Sequence, residues 1–305
     1  MSHPDRFMSL SDLATALLNH FIGTGLVTYL GEAISILRES LSLCPAPHPA
    51  RPTLLGSLAT ALDERFEETG SMTDLEEVIS LYRESLSLPP MCYPDRSISF
   101  SRFASALCVR FEKTGSMTDL EEAILMHHES LSLRPVSHPD RFISLINLGY
   151  ALRNRFRRTG STTDLEEAIS MLRESPSLCP ASHPARPTSL GNLATVLLDR
   201  SRETGSTTDL EEAISLFRDS LSLCPMSYPD HSMSLGIDLA IALGNRFQKT
   251  GSMTDLEEAI SLYRESLSLY PMSHPDRSIS LRDLAAALND RFRETGSIND
   301  LEEVS

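Results

Sequence analysis

Acidic pairs are the first residues in this sequence whose type and spacing could do chemistry. Glu76-Glu77, Glu121-Glu122 and Glu166-Glu167 each place two carboxylates side by side, as a general acid and a general base would require. The pair recurs in most copies of one segment, just after an aspartate where a helix is predicted to begin. Because the helix dipole stabilises negative charge at that end, the pattern predicts helix starts and not a catalytic dyad.

Three further patterns could support catalysis or ligand binding. Thr-Gly-Ser before a predicted helix could cradle a phosphate, but no Gly-x-x-x-x-Gly-Lys occurs and the acids that follow repel anions. His127 and His128 diverge by about 100° on a helix, which favours one core and one surface histidine over a metal site. Cys108 lies beside an apolar stripe without the signature of a nucleophile. We therefore predict no enzymatic activity, no cofactor and no metal.

These residues all belong to a repeated segment. A Thr-Gly pair returns every 45 residues, and once after 46. Self-similarity at such a period indicates a stacked repeat architecture. The glycines of the pair are Gly25, Gly70, Gly115, Gly160, Gly205, Gly251 and Gly296.

Each repeat is predicted to contain two helices, A and B. In repeat five, helix A is predicted over Pro184–Arg202, with proline in its first turn and Gly205 as its left-handed C-terminal residue. Helix B follows, and Thr208 with Glu211 matches a capping box at its start. Helix B is predicted to begin within two residues of one aspartate in each of five repeats: Asp74, Asp119, Asp164, Asp209 and Asp255.

Two departures from the repeat carry structural predictions. Pro176 replaces a leucine near the end of the fourth helix B and should shorten or bend that helix. Repeat six contains one extra residue near Gly236-Ile237, which we expect the first turns of helix A to absorb. Leu239 and Leu243 would then keep their core positions, because an insertion further along would rotate them by about 100°.

Composition narrows the class of partner and the compartment. The net charge of −15 argues against a nucleic-acid binder. No apolar run is long enough to span a membrane. The five cysteines are odd in number, and three share one slot in different repeats, so we expect reduced thiols and a cytoplasmic location.

The two helices carry residues that resemble the tetratricopeptide repeat. Helix A contains Asn147-Leu-Gly149 and Asn192-Leu-Ala194, and helix B contains Ala213, Phe217, Ser220 and Pro225 at the corresponding spacing. The His-Pro-Asp opening and the 45-residue period resemble kinesin-light-chain-type repeats of basidiomycete fungi, which are often linked to CHAT-protease or nucleotide-binding domains. The resemblance implies an all-α, right-handed solenoid of antiparallel helical hairpins. Residues 1–305 would form a single array of six full repeats and a truncated seventh, with uncapped ends through which copies could self-associate.

The resemblance also implies that the helices A line a concave face. Some helix A positions beside the apolar core stripe differ between repeats, as expected of a surface that recognises a ligand. Sequence drift on a solvated face would produce the same variation. No lysine occupies them, so the carboxylate-clamping specificity of chaperone-tail-binding relatives is not expected. The candidate groove residues are Ile146, Tyr150, Arg153, Asn154, Thr195, Leu198, Asp199, Ile237, Ile241, Asn245, Arg282 and Asn289.

The resulting functional prediction is a non-enzymatic scaffold that binds a protein or peptide partner on the concave face. The alternative is a regulatory repeat fragment of a larger CHAT-protease or nucleotide-binding signalling protein. A recently duplicated array without a selected partner is a third interpretation.

Overall fold

The fold consists of paired α-helices. The computed structural model describes residues 6–46, 48–88, 96–224, 229–269 and 277–300. These contain thirteen α-helices, and no strand occurs among them. Nor is any of these helices long and apolar enough to cross a membrane. The chain divides into two compact units, Met1–Thr159 and Gly160–Ser305. That the whole chain forms a single array stays a prediction.

Unit 1 contains three helical hairpins and one further helix A. The hairpins are α1–α2, α3–α4 and α5–α6, and each helix B also packs against the next helix A. The helices are α1 (Arg6–Thr24), α2 (Val27–Leu43), α3 (Arg51–Thr69), α4 (Met72–Ser87), α5 (Arg96–Thr114), α6 (Met117–Ser132) and α7 (Arg141–Thr159).

Unit 2 begins with a helix B and repeats the same packing. Its hairpins are α9–α10 and α11–α12, with α8 packed on α9 and α13 on α12. The helices are α8 (Thr162–Leu178), α9 (Arg186–Thr204), α10 (Thr207–Leu223), α11 (Pro229–Thr250), α12 (Met253–Leu269) and α13 (Arg277–Thr295).

A glycine and a serine form the turn between helices A and B. All seven glycines of the Thr-Gly pairs have positive φ, as predicted for the end of helix A. Helices α4, α6, α8, α10 and α12 begin two residues before the predicted aspartates, which confirms their starts. The predicted N-cap was wrong: Ser206, and not Thr208, caps α10, and its hydroxyl accepts from the Asp209 amide at 3.2 Å. The Ser206 amide in turn donates to Thr204 Oγ1.

An arginine near the end of helix A binds the aspartate at the start of helix B. In α9 and α10, Arg200 Nε and Nη2 donate to the two carboxylate oxygens of Asp209 at 2.8 and 2.7 Å. Such a two-bond pair is stronger than a neutral hydrogen bond and fixes the angle of the hairpin. The same fork joins Arg65 to Asp74, Arg110 to Asp119, Arg246 to Asp255 and Arg291 to Asp300.

The Glu-Glu pairs connect neighbouring repeats. Glu76 accepts from Arg110 of the following helix A at 2.7 Å, and Glu122 accepts from Arg83 of the preceding helix B at 2.8 Å. Equivalent pairs join Arg246 to Glu211 and Arg218 to Glu258 in unit 2. These exposed pairs contribute at most about 1 kcal/mol each, and they give the acidic pairs a structural role.

The histidine of the His-Pro opening forms a turn outside the helix. His183 Nδ1 accepts from the Ala185 amide at 3.1 Å, and α9 begins only at Arg186. The prediction of helix over Pro184–Arg202 was therefore two residues early at both ends. His48 and His138 accept from the residue two positions later in the same way.

The two departures from the repeat have different outcomes. Helix α8 runs to Leu178 with Pro176 inside it and, at 17 residues, is as long as α10, so the predicted shortening was wrong. That the helix bends at Pro176 stays a prediction. Helix α11 has 22 residues where the other helices A have 19, and Leu239 and Leu243 are buried. Leu239 and Leu243 thus keep their core positions, as predicted, and the extra residue lies before them in α11.

Candidate functional site

In unit 1, the candidate groove residues lie along α7. Ile146 is buried, whereas Tyr150, Arg153 and Asn154 are half-buried. The Tyr150 hydroxyl donates to Glu112 Oε1 of α5 at 2.5 Å. Burial, and secondarily this contact with Glu112, raise the pKa of Tyr150 to about 12, so the phenol is protonated at neutral pH. Its ring is held in place by the helix of the preceding repeat.

The amide of Asn154 is the most informative polar group on α7. Its Nδ2 atom is buried and has no hydrogen-bond partner of normal geometry, although it lies near enough to the Tyr150 hydroxyl to oppose the rise in that group's pKa. By contrast, Asn147 Nδ2 of the same helix donates to Ser101 Oγ at 3.4 Å. A buried amide donor without an acceptor costs about 1–3 kcal/mol, which a ligand carbonyl could recover.

In unit 2, the candidates on α9 are packed and not accessible. Thr195, Leu198 and Asp199 are 8%, 2% and 6% exposed. The Thr195 hydroxyl donates to the Gly191 carbonyl of its own helix at 2.7 Å. These three side chains lie beneath the surface and expose little area that a ligand could contact.

The candidates on α11 and α13 are more accessible. Ile237, Ile241 and Asn245 are half-buried, and Arg282 and Asn289 are exposed. Asn245 occupies the same slot of its repeat as Asn154, six residues before the glycine that ends helix A. Its Nδ2 atom is likewise buried without a partner. An unsatisfied amide thus occurs at one equivalent slot in both units.

Acidic residues dominate the last turns of α3. Burial raises the pKa of Asp63, and Arg102 of α5 partly opposes that effect. Burial and the neighbouring carboxylates of Glu64, Asp63 and Glu68 raise the pKa of Glu67. The end of α3 therefore favours cations over anions.

A cleft in unit 1 was missed in the sequence. It has a volume of about 220 Å³ and lies between α1 and α3, with Thr15, Leu18, Asn19, Thr60 and Glu64 among its lining residues. Thr15 and Thr60 occupy the slot of Tyr150, and Asn19 and Glu64 that of Asn154. Alignment of the repeats places these residues at candidate groove slots. Because their side chains are small or polar, however, the sequence gave no reason to select repeats one and two as a binding site.

The two histidines and the cysteine considered for catalysis occupy positions that helix packing explains. His127 is 1% exposed, and burial, followed by the proximity of His128, lowers its pKa to about 3, whereas His128 is exposed. Burial, followed by the charge of Glu112, raises the pKa of Cys108 to about 12, so its thiol is protonated and a poor nucleophile at neutral pH. In the described ranges, no group of three or more His, Cys, Asp or Glu side chains could hold a metal ion.

Comparisons with known proteins agree with this architecture. The tetratricopeptide-repeat family model matches residues 143–175 and 237–276. A search of curated proteins finds no match. The family-model match, together with the solved structures described next, confirms the predicted repeat type, the tetratricopeptide repeat. The predicted all-α solenoid class is confirmed as well.

Several solved structures share the fold at low sequence identity. A variant of a Podosopora anserina putative kinesin light chain with nearly identical TPR-like repeats is 19% identical, with 72% of this chain and 98% of that chain covered and a TM-score of 0.50. The assembly chaperone of RpL4, Acl4, is 17% identical, with 97% and 100% covered and a TM-score of 0.57. A human IFIT1 dimer with PPP-AAAA is 15% identical, with 89% and 52% covered and a TM-score of 0.53. At these identities, the likeness concerns the fold alone.

Proposed function

We propose that this chain is a non-enzymatic scaffold that binds a peptide segment of a protein partner along the variable face of its helices A, that is, the face formed by the candidate groove residues. The observation that carries the proposal is a pair of half-buried asparagines, Asn154 and Asn245, one in each unit at the same slot of the repeat, whose Nδ2 atoms have no hydrogen-bond partner of normal geometry. Peptide backbones supply carbonyl acceptors at regular spacing. An unpaired donor at a repeating slot suits such a ligand better than it suits a single small substrate.

The neighbouring side chains supply anchors for this ligand. Tyr150 is held by Glu112, so little side-chain entropy is lost when a peptide packs on its ring. Aromatic and arginine side chains dominate the binding energy of most protein interfaces, which favours Tyr150 and Arg153 as anchors. In unit 2, the half-buried Ile241 offers apolar contact at the slot of Tyr150, and the half-buried Ile237 does so at the slot of Ile146.

The charge of the chain favours one class of partner. The net charge of −15 and the acidic end of α3 attract basic segments and repel acidic tails and nucleic acid, so basic or neutral apolar segments are favoured as partners. The four described cysteines are free thiols, which supports a reducing, cytoplasmic location as part of the proposal.

The test is a selection from a displayed random-peptide library, followed by affinity measurements on the best binder. Of the variants Asn154→Ala and Asn245→Ala, the one in the unit that the peptide binds should weaken that peptide about tenfold, the value of one hydrogen bond of about 1.4 kcal/mol. Their melting temperatures should stay level or rise, since each substitution removes an unpaired buried donor.

Asn19→Ala is the matched control, because Asn19 occupies the same slot but is exposed. Where the peptide docks on α7 or α11, this variant should bind the peptide as the wild type does. Equal binding by the wild type and both buried-asparagine variants would refute the proposal. So would a selection that yields no binder from a correctly folded protein.

A further inference from the structure

Unit 2 contains an apolar cavity away from the candidate groove slots. It lies between α10, α11 and α12 and has a volume of about 340 Å³. Four aliphatic side chains provide much of its wall: Leu221, Met233, Leu262 and Leu269. A cavity of about 150 Å³ admits benzene, so this one has room for an aromatic ring and a short chain.

One buried hydroxyl in this cavity lacks a partner. Ser266 is 3% exposed, and its Oγ atom forms no hydrogen bond. The equivalent serine donates to a backbone carbonyl at the start of its own helix A in four other repeats. These bonds join Ser40 to Phe7 (2.6 Å), Ser85 to Pro52 (3.2 Å), Ser130 to Ser97 (2.8 Å) and Ser220 to Pro187 (2.7 Å).

The extra residue of α11 accounts for the difference. The insertion lies between the start of α11 and the core residue Leu239, in the part of the helix that faces Ser266. One added residue turns the preceding carbonyls by about 100° relative to the core. The acceptor that other repeats offer is thereby moved away, and a Cβ added at Gly236 would meet no atom within 4 Å. Both the open space and the free hydroxyl follow from the same insertion.

The rim of the cavity carries the carboxylate of Glu265. Glu265 lines it and is exposed. In repeats one and two, the equivalent Glu39 and Glu84 pair with Arg6 and Arg51 at 2.6 and 2.9 Å. The sequence has His231 at this arginine slot in repeat six, and Glu265 forms no ion pair within the part of the chain that the structure describes. An anionic ligand is therefore disfavoured and a cationic one favoured.

We propose that this cavity binds a small monocationic apolar amine of the arylalkylamine class. The hydrocarbon body packs on the leucine and methionine side chains, the ammonium donates to Ser266 Oγ, and the Glu265 carboxylate at the rim attracts the cation. Binding satisfies the unpaired hydroxyl and removes apolar surface of both partners from water. The site does not depend on the peptide-binding proposal, because it uses none of the groove residues.

The experiment is a calorimetric titration of the full chain with phenethylamine, and with hydrocinnamate as the anionic analogue of similar size. Phenethylamine should bind with a Kd of about 1 mM or tighter, and hydrocinnamate about tenfold or more weakly. Ser266→Ala should weaken the amine by about fivefold. Gly236→Leu should abolish binding, because its side chain fills the cavity.

Gly244→Leu is the matched control, since Gly244 lies on the same helix, has open space and does not line the cavity. It should bind the amine as the wild type does. The proposal is overturned if neither compound binds, if hydrocinnamate binds as tightly as the amine, or if folded Gly236→Leu retains the wild-type affinity. Circular dichroism of both variants establishes that each is folded.

Discussion

At the residue scale, the arginine–aspartate forks are the contacts that hold helices A and B together. Arg200 and Asp209 are largely shielded from solvent, with 21% and 11% of their side chains exposed. The hydrogen bonds from Arg200, more than any other effect, lower the pKa of Asp209. The fork therefore stabilises the folded chain only while the carboxylate is ionised.

Asp209→Asn should lower the free energy of unfolding by about 2 kcal/mol at pH 7, the value of hydrogen bonds to a charged group. The lowered pKa of Asp209 makes this stabilisation fully present above pH ~4, the ordinary value of an unfolded aspartate. It is then lost as the pH falls through the lower folded value. Urea unfolding across this range measures the difference between variant and wild type.

Glu203→Gln is the control for this prediction, because Glu203 is an exposed carboxylate on α9, the helix that carries Arg200. It should match the wild type at both ends of the pH range. A difference for Asp209→Asn that persisted undiminished at pH ~3 would show that the carboxylate charge is not the cause.

Residue types alone did not predict the forks, and they predicted the groove only in part. Asp209 was assigned to the helix dipole, since the arginine that binds it lies nine residues earlier, in another helix. Leu198 and Asp199 were placed on the variable face, but they are buried, because accessibility at the edge of the core stripe depends on how closely neighbouring side chains pack. The sequence therefore predicted the repeat positions of Leu198 and Asp199 but could not predict that they are buried.

At the element scale, the turn between helices was predictable because it depends on local chemistry. Gly115 has a φ of 73°, which a residue with a Cβ adopts only with strain. The serine cap was misplaced by two residues because serine and threonine alternate in Ser-x-Thr-Asp and either can cap a helix. Geometry, and not residue type, decides between them.

Gly115→Ala and Gly31→Ala should have opposite effects on stability. Gly115→Ala forces alanine into a left-handed conformation and should destabilise the chain by about 1–2 kcal/mol. Gly31 lies inside α2 with open space around its Cβ position, so Gly31→Ala should stabilise the chain by up to about 1 kcal/mol. The midpoint of urea unfolding checks both, and equal shifts in the same direction would contradict this account.

At the scale of the whole molecule, most of the structural predictions came from the 45-residue period. Seven glycines at nearly constant spacing indicated the hairpin, the class and the number of repeats before any contact was known. The insertion in α11 was located from the same count, but the cavity and the unpaired Ser266 beside it were not foreseen. A period describes what repeats share, whereas these features arise where one repeat differs.

The charge of the molecule gives a prediction about its partner. Peptides selected by this chain should be enriched in lysine and arginine, and raising the salt concentration from about 50 mM to about 500 mM should weaken them. Fluorescence anisotropy with a labelled peptide measures this dependence. Selected peptides rich in acidic residues, or affinities that do not change with salt, would show that the net charge of −15 does not guide recognition.

Mapping where a selected peptide binds is the most direct test of the central claim, that the variable face of the helices A recognises a partner. A peptide with one photoreactive residue is cross-linked to the chain, and the sites are identified by mass spectrometry. We predict cross-links on α7 or α11, near Tyr150 and Asn154 or near Ile241 and Asn245. Cross-links confined to the helices B, such as α6 and α12, would contradict the account.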